Sequence, residues 1–400
     1  MTQAASVPPA LASLRGRLQP FLADGRYAGI AALVWHEGRT VFLDTPGWRY
    51  RETGLPVERD TIFRLASMTK PITSAAAMML VEDGLLDLEA PIARWLPEAE
   101  GLKVLRTPQS SLGDVIPVER PPTLFDLMTH TAGFAWGKGL DLPICRAMDE
   151  ATGTTPFVPH DTDTLVQRVC ALPLICQPGT RWHYSNGSDL LGAIVARAAG
   201  QALPDILHAR IFEPLGMKDT GFHVPAGNLA RFSAGYGRDE QGALFVHDDR
   251  LTGFWTRPPV FPAGGGGLVS TLDDYLAFAR MLLDGGVAQG RRLMSRKSVA
   301  LMTSNRLRAD QMQALDPAVD FLRGQGFGLG LSVSMNALPD HRAPGSFSWP
   351  GGYGTTWFAD PHNGIVALLM TQVWQDHLTE LASAFETGIY AALGSAPQPL

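Results

Sequence analysis

Strand–turn–strand patterns near both ends of the chain constrain its fold more than any other feature. The stretch YAGIAALVWHEGRTVFLDTPGW (27–48) holds two apolar runs joined by turn residues at 36–38. GTTWFADPHNGIVALLMTQVW (354–374) repeats this form, with DPHNG as its turn. A helix precedes the first hairpin, and a closing helix is predicted from about His377 to Leu393. Helical patterns fill the middle, so both termini are predicted to build one antiparallel sheet flanked by helices.

This arrangement predicts an α/β (α+β) fold in one domain spanning residues 1–400. Residues 1–80 and 210–400 would form the α/β part around the sheet, and residues 81–209 a mostly helical subdomain. The 400 residues are 45% apolar and 18% charged, which is typical of a globular chain long enough for a large core.

Composition argues against several classes of function. The net charge of -6 offers no basic surface for nucleic acid. We find neither a secretory signal nor an apolar run of about eighteen residues, so we expect a cytoplasmic protein without membrane contact. Cys145, Cys170 and Cys176 are too few and too irregularly spaced for a disulfide framework or a zinc site. We expect no metal and no cofactor, and the oligomeric state stays open.

The stretch FRLASMTKPITSAAAMMLVEDG (63–84) places Ser67 three residues before Lys70. Apolar residues recur with helical spacing after them, and Gly84 is a typical stop signal. Pro71 fits only the first turn of that helix, because it has no N–H to donate. Ser67 and Lys70 are therefore close enough to touch. Ser67 is either a nucleophile with Lys70 beside it, or a helix cap before a solvated lysine.

A second stretch, GTRWHYSNGSDLLGAIVARAAG (179–200), places Tyr184 and Asn186 on a loop before a helix whose predicted cap is Ser188. A phenol is a poor base at neutral pH, but a nearby ammonium group favours the phenolate. Lys70 could supply that charge or act as the base itself. Alternatively, Tyr184 is a half-buried aromatic residue and Asn186 a turn residue.

A third stretch, FSWPGGYGTTWFADP (347–361), begins an edge-like strand at Gly351 and Gly352. A free N–H there, together with the N–H of Ser67, would form an oxyanion hole. A plain bulge or turn explains the glycines equally well on local grounds.

Other chemistries have weaker support. The sequence contains neither G-x-S-x-G nor H-E-x-x-H, so an α/β-hydrolase elbow and a zinc-protease site are unsupported. His130, in LMTHTAGF, could be a triad base but fits a structural histidine at a helix end better. The string GQGFGLG (324–330) precedes a strand-like run rather than a helix, which argues against dinucleotide binding.

Taken in order, SMTK, YSN and the glycine pair after Trp349 resemble the three motifs of the class C β-lactamase and penicillin-binding-protein superfamily of serine hydrolases. Further stretches, such as LFDLMTHTAGF and GGGGLVSTLDDYLAFARMLLDGG, extend the resemblance over residues 10–393. Within the superfamily, the chain is most similar to the family VIII bacterial carboxylesterases. The resemblance implies an α/β sandwich with a helical subdomain and an active site at their junction.

The resemblance also implies residue roles. Ser67 would be the acylated nucleophile, and Lys70 and Tyr184 would transfer protons. The N–H groups of Ser67 and Gly352 would form the oxyanion hole, and Asn186 would bind substrate.

The third motif departs from the superfamily pattern. Trp349, Pro350 and Gly351 stand where the β-lactamases have lysine, threonine and glycine, and the esterases typically have tryptophan and two glycines. Pro350 removes one backbone donor. Trp349 and Gly351 are predicted to contact substrate.

Two further aromatic residues, Tyr353 and Trp357, would add an apolar wall to the site if they face inward, with Tyr353 contacting substrate. Arg342 is the local cation that could replace the missing lysine. A neutral, short acyl group suits such a site.

The leading hypothesis is a serine esterase that cleaves small-molecule, short-chain esters. The alternatives are an acyltransferase with the same acyl-enzyme, a β-lactamase or D-amino-acid peptidase, and a non-catalytic binding protein that keeps only the fold.

Overall fold

The strands form one seven-stranded sheet and five two-stranded ribbons within the described residues of a computed structural model. That structure describes residues 9–137, 140–153, 160–313, 324–336, 341–376 and 379–393. The sheet contains β1 (Ala31–His36), β2 (Arg39–Asp44), β13 (Gln325–Phe327), β14 (Ser332–Ser334), β15 (Phe347–Ser348), β16 (Thr355–Asp360) and β17 (Ile365–Met370). The ribbons pair β3 (Trp48–Tyr50) with β4 (Leu55–Pro56), β5 (Phe63–Arg64) with β10 (Val269–Ser270), β6 (Lys103–Leu105) with β7 (Val115–Pro117), β8 (Gly235–Arg238) with β9 (Leu244–Asp248), and β11 (Val287–Ala288) with β12 (Arg291–Arg292).

Twelve α-helices lie in the same described ranges. They are α1 (Pro9–Ala23), α2 (Thr69–Glu82), α3 (Leu124–Met128), α4 (Pro143–Thr152), α5 (Thr162–Cys170), α6 (Gly187–Ala199), α7 (Leu203–Leu207), α8 (Glu213–Leu215), α9 (Leu272–Leu283), α10 (Arg296–Met302), α11 (Ala309–Gln313) and α12 (Thr379–Leu393). Among these residues, no single helix has the length and apolarity to cross a membrane. The segments Gly187–Ala199 and Leu203–Leu215 are long and apolar enough only when they are taken together. An 82° bend separates them.

The two terminal hairpins form one antiparallel sheet, which confirms the prediction. Strand β1 pairs with β17 in the order β13–β14–β15–β16–β17–β1–β2. Glu37 and Gly38 connect β1 to β2, and both have positive φ, as a tight hairpin turn of matching twist requires. The closing helix begins at Thr379, and His377 lies outside the described residues.

Both faces of the sheet are buried, which explains why its central strands are apolar throughout. Ala32 and Val34 of β1 belong to the core cluster shared with α1 and α12. Leu33 and Trp35 belong to a larger cluster on the opposite face, which includes residues of α9, α2 and α6. That larger cluster continues without interruption into residues 81–209. The proposed subdomain boundaries at 80 and 210 therefore stay a prediction, because one core crosses both.

Trp357 lies on β16 and is buried on one face of the sheet. Its ring is 1% exposed and lies 5.4 Å from the Tyr275 ring of α9 and 5.9 Å from the Phe347 ring. It is a core residue, and the suggestion that it lines the site is wrong.

Candidate active site

The nucleophile candidate lies in a tight turn directly ahead of α2. Ser67 is in the 3₁₀ helix Ala66–Met68, and α2 starts at Thr69, so Pro71 falls in the first turn as predicted. Met68 takes the N-cap position, and no side chain caps this helix. The Ser67 hydroxyl instead lies 3.0 Å from Lys70 Nζ. The interpretation of Ser67 as a helix cap is therefore wrong.

A third group from a distant segment completes this cluster. Tyr184 Oη lies 2.7 Å from Ser67 Oγ, although 117 residues separate the two in sequence. Helix α6 packs against α2, and the loop that leads into α6 carries Tyr184 to the start of α2. Lys70 Nζ also lies 4.8 Å from the centre of the Tyr184 ring, so it is near both the Ser67 hydroxyl and the tyrosine ring. The structure thus brings Ser67, Lys70 and Tyr184 together, as the resemblance implied, and their catalytic roles stay a prediction.

Asn186 occupies the N-cap position of α6, which corrects the prediction that Ser188 would be the cap. Its side chain makes no capping bond and donates to Asp189 Oδ2 over 3.4 Å. The side-chain oxygen of Asn186 is buried, with no hydrogen-bond partner among the residues that the structure describes. A substrate amide or hydroxyl could satisfy it, which agrees with the predicted substrate contact.

A glycine-rich loop at 264–267 contacts Lys70 as well. The sequence did not predict this role for the loop. The carbonyl oxygen of Gly265 accepts a hydrogen bond from Lys70 Nζ over 2.6 Å, and that of Gly264 accepts one from Thr73 Oγ1 over 2.7 Å. A Cβ on Gly264 would lie 2.7 Å from the carbonyl oxygen of Ser188. The loop can approach α2 and α6 only because it lacks side chains here. Four consecutive glycines at 264–267 were the available signal.

Trp349 lies beside the cluster. Its ring is 1% exposed, and its centre lies 5.7 Å from the Tyr184 ring and 5.2 Å from the Phe327 ring. Trp136, which the sequence did not single out, packs edge-on at 4.9 Å from Tyr184 and is half-buried. Trp349 thus packs on the tyrosine candidate from a buried position, and its predicted substrate contact stays a prediction.

Gly351 has a supporting role rather than the predicted substrate contact. It is buried, and its N–H donates to the Thr355 carbonyl over 2.7 Å. A Cβ at this position would lie 2.1 Å from the carbonyl oxygen of Leu65, two residues before Ser67. Only glycine therefore lets this strand approach the nucleophile turn so closely.

Replacing Gly351 with alanine should lower the free energy of unfolding by about 1–3 kcal/mol, because backbone atoms must move to admit the methyl group. The kcat on an activated ester should fall as well, since the displaced backbone precedes Ser67. Thermal melting and kcat measure the two effects. Gly227→Ala, where a Cβ would meet nothing within 4 Å, is the matched control. Equal melting temperatures and equal kcat values for Gly351→Ala and Gly227→Ala would contradict this explanation.

Gly352 is placed to donate its N–H. It is half-buried, and within the part of the chain that the structure describes its N–H meets no hydrogen-bond acceptor. Its carbonyl accepts from Gln375 over 2.7 Å, which fixes the peptide. Trp374 flanks it, at 3.8 Å from the position that a Cβ would take. These contacts suit the predicted oxyanion-hole donor.

Tyr353 does not line the site, contrary to the prediction. Its side chain is fully buried, with its ring centre 4.7 Å from Trp374 and 5.7 Å from Trp255. These residues belong to a separate small core cluster that also contains Ala66. Tyr353 therefore supports the nucleophile turn from behind and cannot contact substrate without moving.

His130 lies against Tyr184 rather than against Ser67. The ring centres of His130 and Tyr184 are 5.0 Å apart, and His130 Nδ1 lies 3.3 Å from Ser185 Oγ. Burial lowers the pKa of His130 well below its usual value, and the charge of Lys70 acts in the same direction. A neutral ring that packs on Tyr184 fits the structural interpretation of this histidine.

Comparison with known proteins places this geometry in a family. The family model described as Beta-lactamase matches residues 14–386, nearly the whole chain. The chain belongs to the beta-lactamase family. The fold follows the same relationship, since the chain superimposes on simvastatin synthase from Aspergillus terreus (LovD6 mutant) with a TM-score of 0.80 at 25% identity, over 99% of this chain and 100% of that one.

Two relatives within the beta-lactamase family match over most of their length. Protein Rv1367c of Mycobacterium tuberculosis is 40% identical in an alignment that covers 90% of this chain and 89% of that protein. Esterase EstB of Burkholderia gladioli is 30% identical in an alignment that covers 98% of this chain and all of that protein. Of the two, EstB is named an esterase.

The missing lysine of the third beta-lactamase motif is not replaced by Arg342. The Arg342 guanidinium pairs with Glu386 at 3.4 Å and lies 5.5 Å from the Phe358 ring, on the face of the sheet covered by α1 and α12. Burial would raise the pKa of Glu386, but Arg342 and a hydrogen bond from His341 outweigh it and lower the pKa. Arg342 is thus committed to the opposite face from Trp349.

Proposed function

We propose that the protein is a serine esterase that hydrolyses short-chain carboxylic esters through an acyl-enzyme on Ser67. The observation that carries this proposal is the hydroxyl of Ser67, which lies within hydrogen-bond distance of both Lys70 Nζ and Tyr184 Oη. A serine becomes a nucleophile when an oriented base takes its proton, and this pair supplies one. The EstB relationship supports the same chemistry.

In acylation, the Ser67 hydroxyl transfers its proton to the Lys70–Tyr184 pair while Oγ attacks the ester carbonyl. The N–H groups of Ser67 and Gly352 stabilise the negative oxygen of the tetrahedral intermediate. The bond to the alcohol oxygen then breaks, and the pair returns the proton to that oxygen. The alcohol leaves, and the acyl group stays on Ser67. Water repeats the sequence in deacylation and releases the acid.

Lys70 suits this role because its position is fixed from two sides. Its Nζ donates both to Ser67 Oγ and to the Gly265 carbonyl. The Lys70 Nζ also lies 4.8 Å from the centre of the Tyr184 ring. We assign Tyr184 the direct proton transfer, with Lys70 as the neighbouring cation that orients the Ser67 hydroxyl.

Acyl transfer is the second candidate, because an alcohol can replace water in deacylation without any change in the catalytic groups. The similarity to simvastatin synthase at 25% identity favours acyl transfer over β-lactam hydrolysis and over a non-catalytic role. The test is to add a small alcohol to the ester assay and to measure the ratio of new ester to free acid. If the new ester exceeds the free acid at millimolar alcohol, the main activity is acyl transfer and not hydrolysis.

A fluorophosphonate that reacts with activated serines tests the catalytic proposal directly. We expect intact-mass analysis to show one phosphonyl adduct, located on Ser67 by peptide mapping. A protein that stays unmodified and hydrolyses no ester would be the non-catalytic binding protein instead.

Substrate class should follow from the third motif. Penicillins and cephalosporins carry a carboxylate, which loses hydration in a partly dry site unless a cation replaces it. Trp349 fills this place with a buried apolar ring instead of a cation, and Arg342 pairs with Glu386 on the other face of the sheet. A desolvation cost of about 3 kcal/mol would lower kcat/KM about a hundredfold.

We therefore expect nitrophenyl butyrate to exceed nitrocefin at least about a hundredfold in kcat/KM. Acetate and butyrate esters should also be better substrates than palmitate. Both comparisons use one enzyme preparation. A cephalosporin rate that matches the ester rate would identify a β-lactamase instead.

A further inference from the structure

A buried carboxylate next to the catalytic cluster has no part in the proposed acylation. Asp189 lies in the first turn of α6 and is 5% exposed. Its Oδ1 accepts a hydrogen bond from the Gly265 N–H over 2.8 Å, and its Oδ2 accepts the 3.4 Å contact from Asn186. A carboxylate removed from water normally requires such partners, and here both belong to the site.

The Gly265 residue connects this carboxylate to Lys70. Its N–H is held by Asp189, while its carbonyl accepts the hydrogen bond from Lys70 Nζ. A Cβ on Gly265 would lie 2.9 Å from Asp189 Oδ1, so the contact needs glycine here. Any movement of Asp189 therefore moves the carbonyl group that orients Lys70.

Burial raises the pKa of Asp189, and the positive charge of Lys70 and the hydrogen bonds from the Gly265 N–H and Asn186 offset that rise only in part. The groups around Lys70 are Asp189 from α6, Tyr184 from the preceding loop and the neutral His130 after α3. When Asp189 is ionised, its negative charge and the Lys70 ammonium attract each other.

We propose that Asp189 is a positioning residue for Lys70. Its carboxylate fixes the Gly265 peptide and balances the ammonium charge, so that Nζ stays directed at Ser67 Oγ. This inference rests on the proposed serine esterase mechanism. Asp189 itself touches neither the ester nor the reacting oxygen.

The test uses Asp189→Asn, which keeps the size and one acceptor oxygen but removes the charge. For nitrophenyl butyrate we expect kcat to fall at least tenfold and KM to change less than twofold. The pH profile of kcat/KM should also change, because the substitution removes a carboxylate whose pKa burial raises. Asp189→Glu, which restores the charge, should restore the profile at least in part.

Asp274→Asn is the matched control. Asp274 is also a buried carboxylate in the first turn of its helix, α9, and accepts hydrogen bonds from Asp219 N–H and Thr220 Oγ1. It contacts none of the catalytic groups, so its loss should change thermal stability without moving the pH profile. Equal kinetic and pH effects in the two Asn variants would overturn the positioning role.

Fluorophosphonate labelling separates this inference from the proposed function. The rate of Ser67 phosphonylation reports activation of the nucleophile even if the natural substrate is not an ester. We expect the wild type to react at Ser67 and Asp189→Asn to react at least tenfold more slowly. No reaction of the wild type would overturn the proposed mechanism, and equal rates over the pH range would overturn the role of Asp189 alone.

Discussion

Ser67→Ala is expected to lower kcat/KM for nitrophenyl butyrate at least a thousandfold, because the variant has no oxygen to accept the acyl group. The fold should stay intact. Ser67 is half-buried and does not cap α2, so the free energy of unfolding should change by less than about 1 kcal/mol. Steady-state kinetics and thermal melting measure the two quantities, and the fluorophosphonate adduct should disappear.

Ser74→Ala is the control for this substitution. Ser74 is a buried serine on the same helix, and its hydroxyl has no hydrogen-bond partner among the described residues. Its loss should leave kcat/KM within a factor of about two. If Ser67→Ala kept more than a tenth of the wild-type activity, Ser67 could not be the nucleophile.

Lys70 and Tyr184 should behave as one unit in a double-mutant cycle. Lys70→Met keeps an unbranched side chain without the ammonium group, and Tyr184→Phe removes only the hydroxyl. Each change is expected to lower kcat about a hundredfold or more, because each interrupts the same proton path. The double variant should lose little beyond either single variant, since the path is already broken.

The cycle has a matched tyrosine control. Tyr275→Phe removes a buried hydroxyl that donates to the Met68 carbonyl over 2.9 Å, close to the nucleophile turn but outside the catalytic cluster. It should lower stability and leave kcat nearly unchanged. Multiplying effects of Lys70→Met and Tyr184→Phe would mean that one of the two residues lies outside the proton path.

Several features of the site could be predicted because they depend on neighbours in sequence. Ser67 and Lys70 are in contact because both lie at the start of one helix, three residues apart. Pro71 predicts where that helix starts. The apolar runs of the two hairpins likewise predict the central strands, whose residues contact both core clusters. Similarity to known motifs added Tyr184, which local physics alone left as either a base or a packed aromatic residue.

Side-chain directions were less predictable. Tyr353 and Trp357 are aromatic residues next to the third motif, yet both are buried in core clusters and do not line the site. Arg342 points to the opposite face of the sheet. A shift of one residue along a strand reverses the face, so the short irregular segment around Gly351 did not define which face each residue would take.

The sequence by itself determined the elements of this protein: the two hairpins, helix α2 with Ser67 and Lys70 at its start, and the loop before α6. Only the tertiary structure decided which polar atoms of these elements meet. Ser67 Oγ reaches Tyr184 Oη because α6 packs on α2, and Lys70 reaches Gly265 because four glycines let a third segment approach. Backbone periodicity is a local property, whereas these contacts depend on packing between residues more than one hundred positions apart.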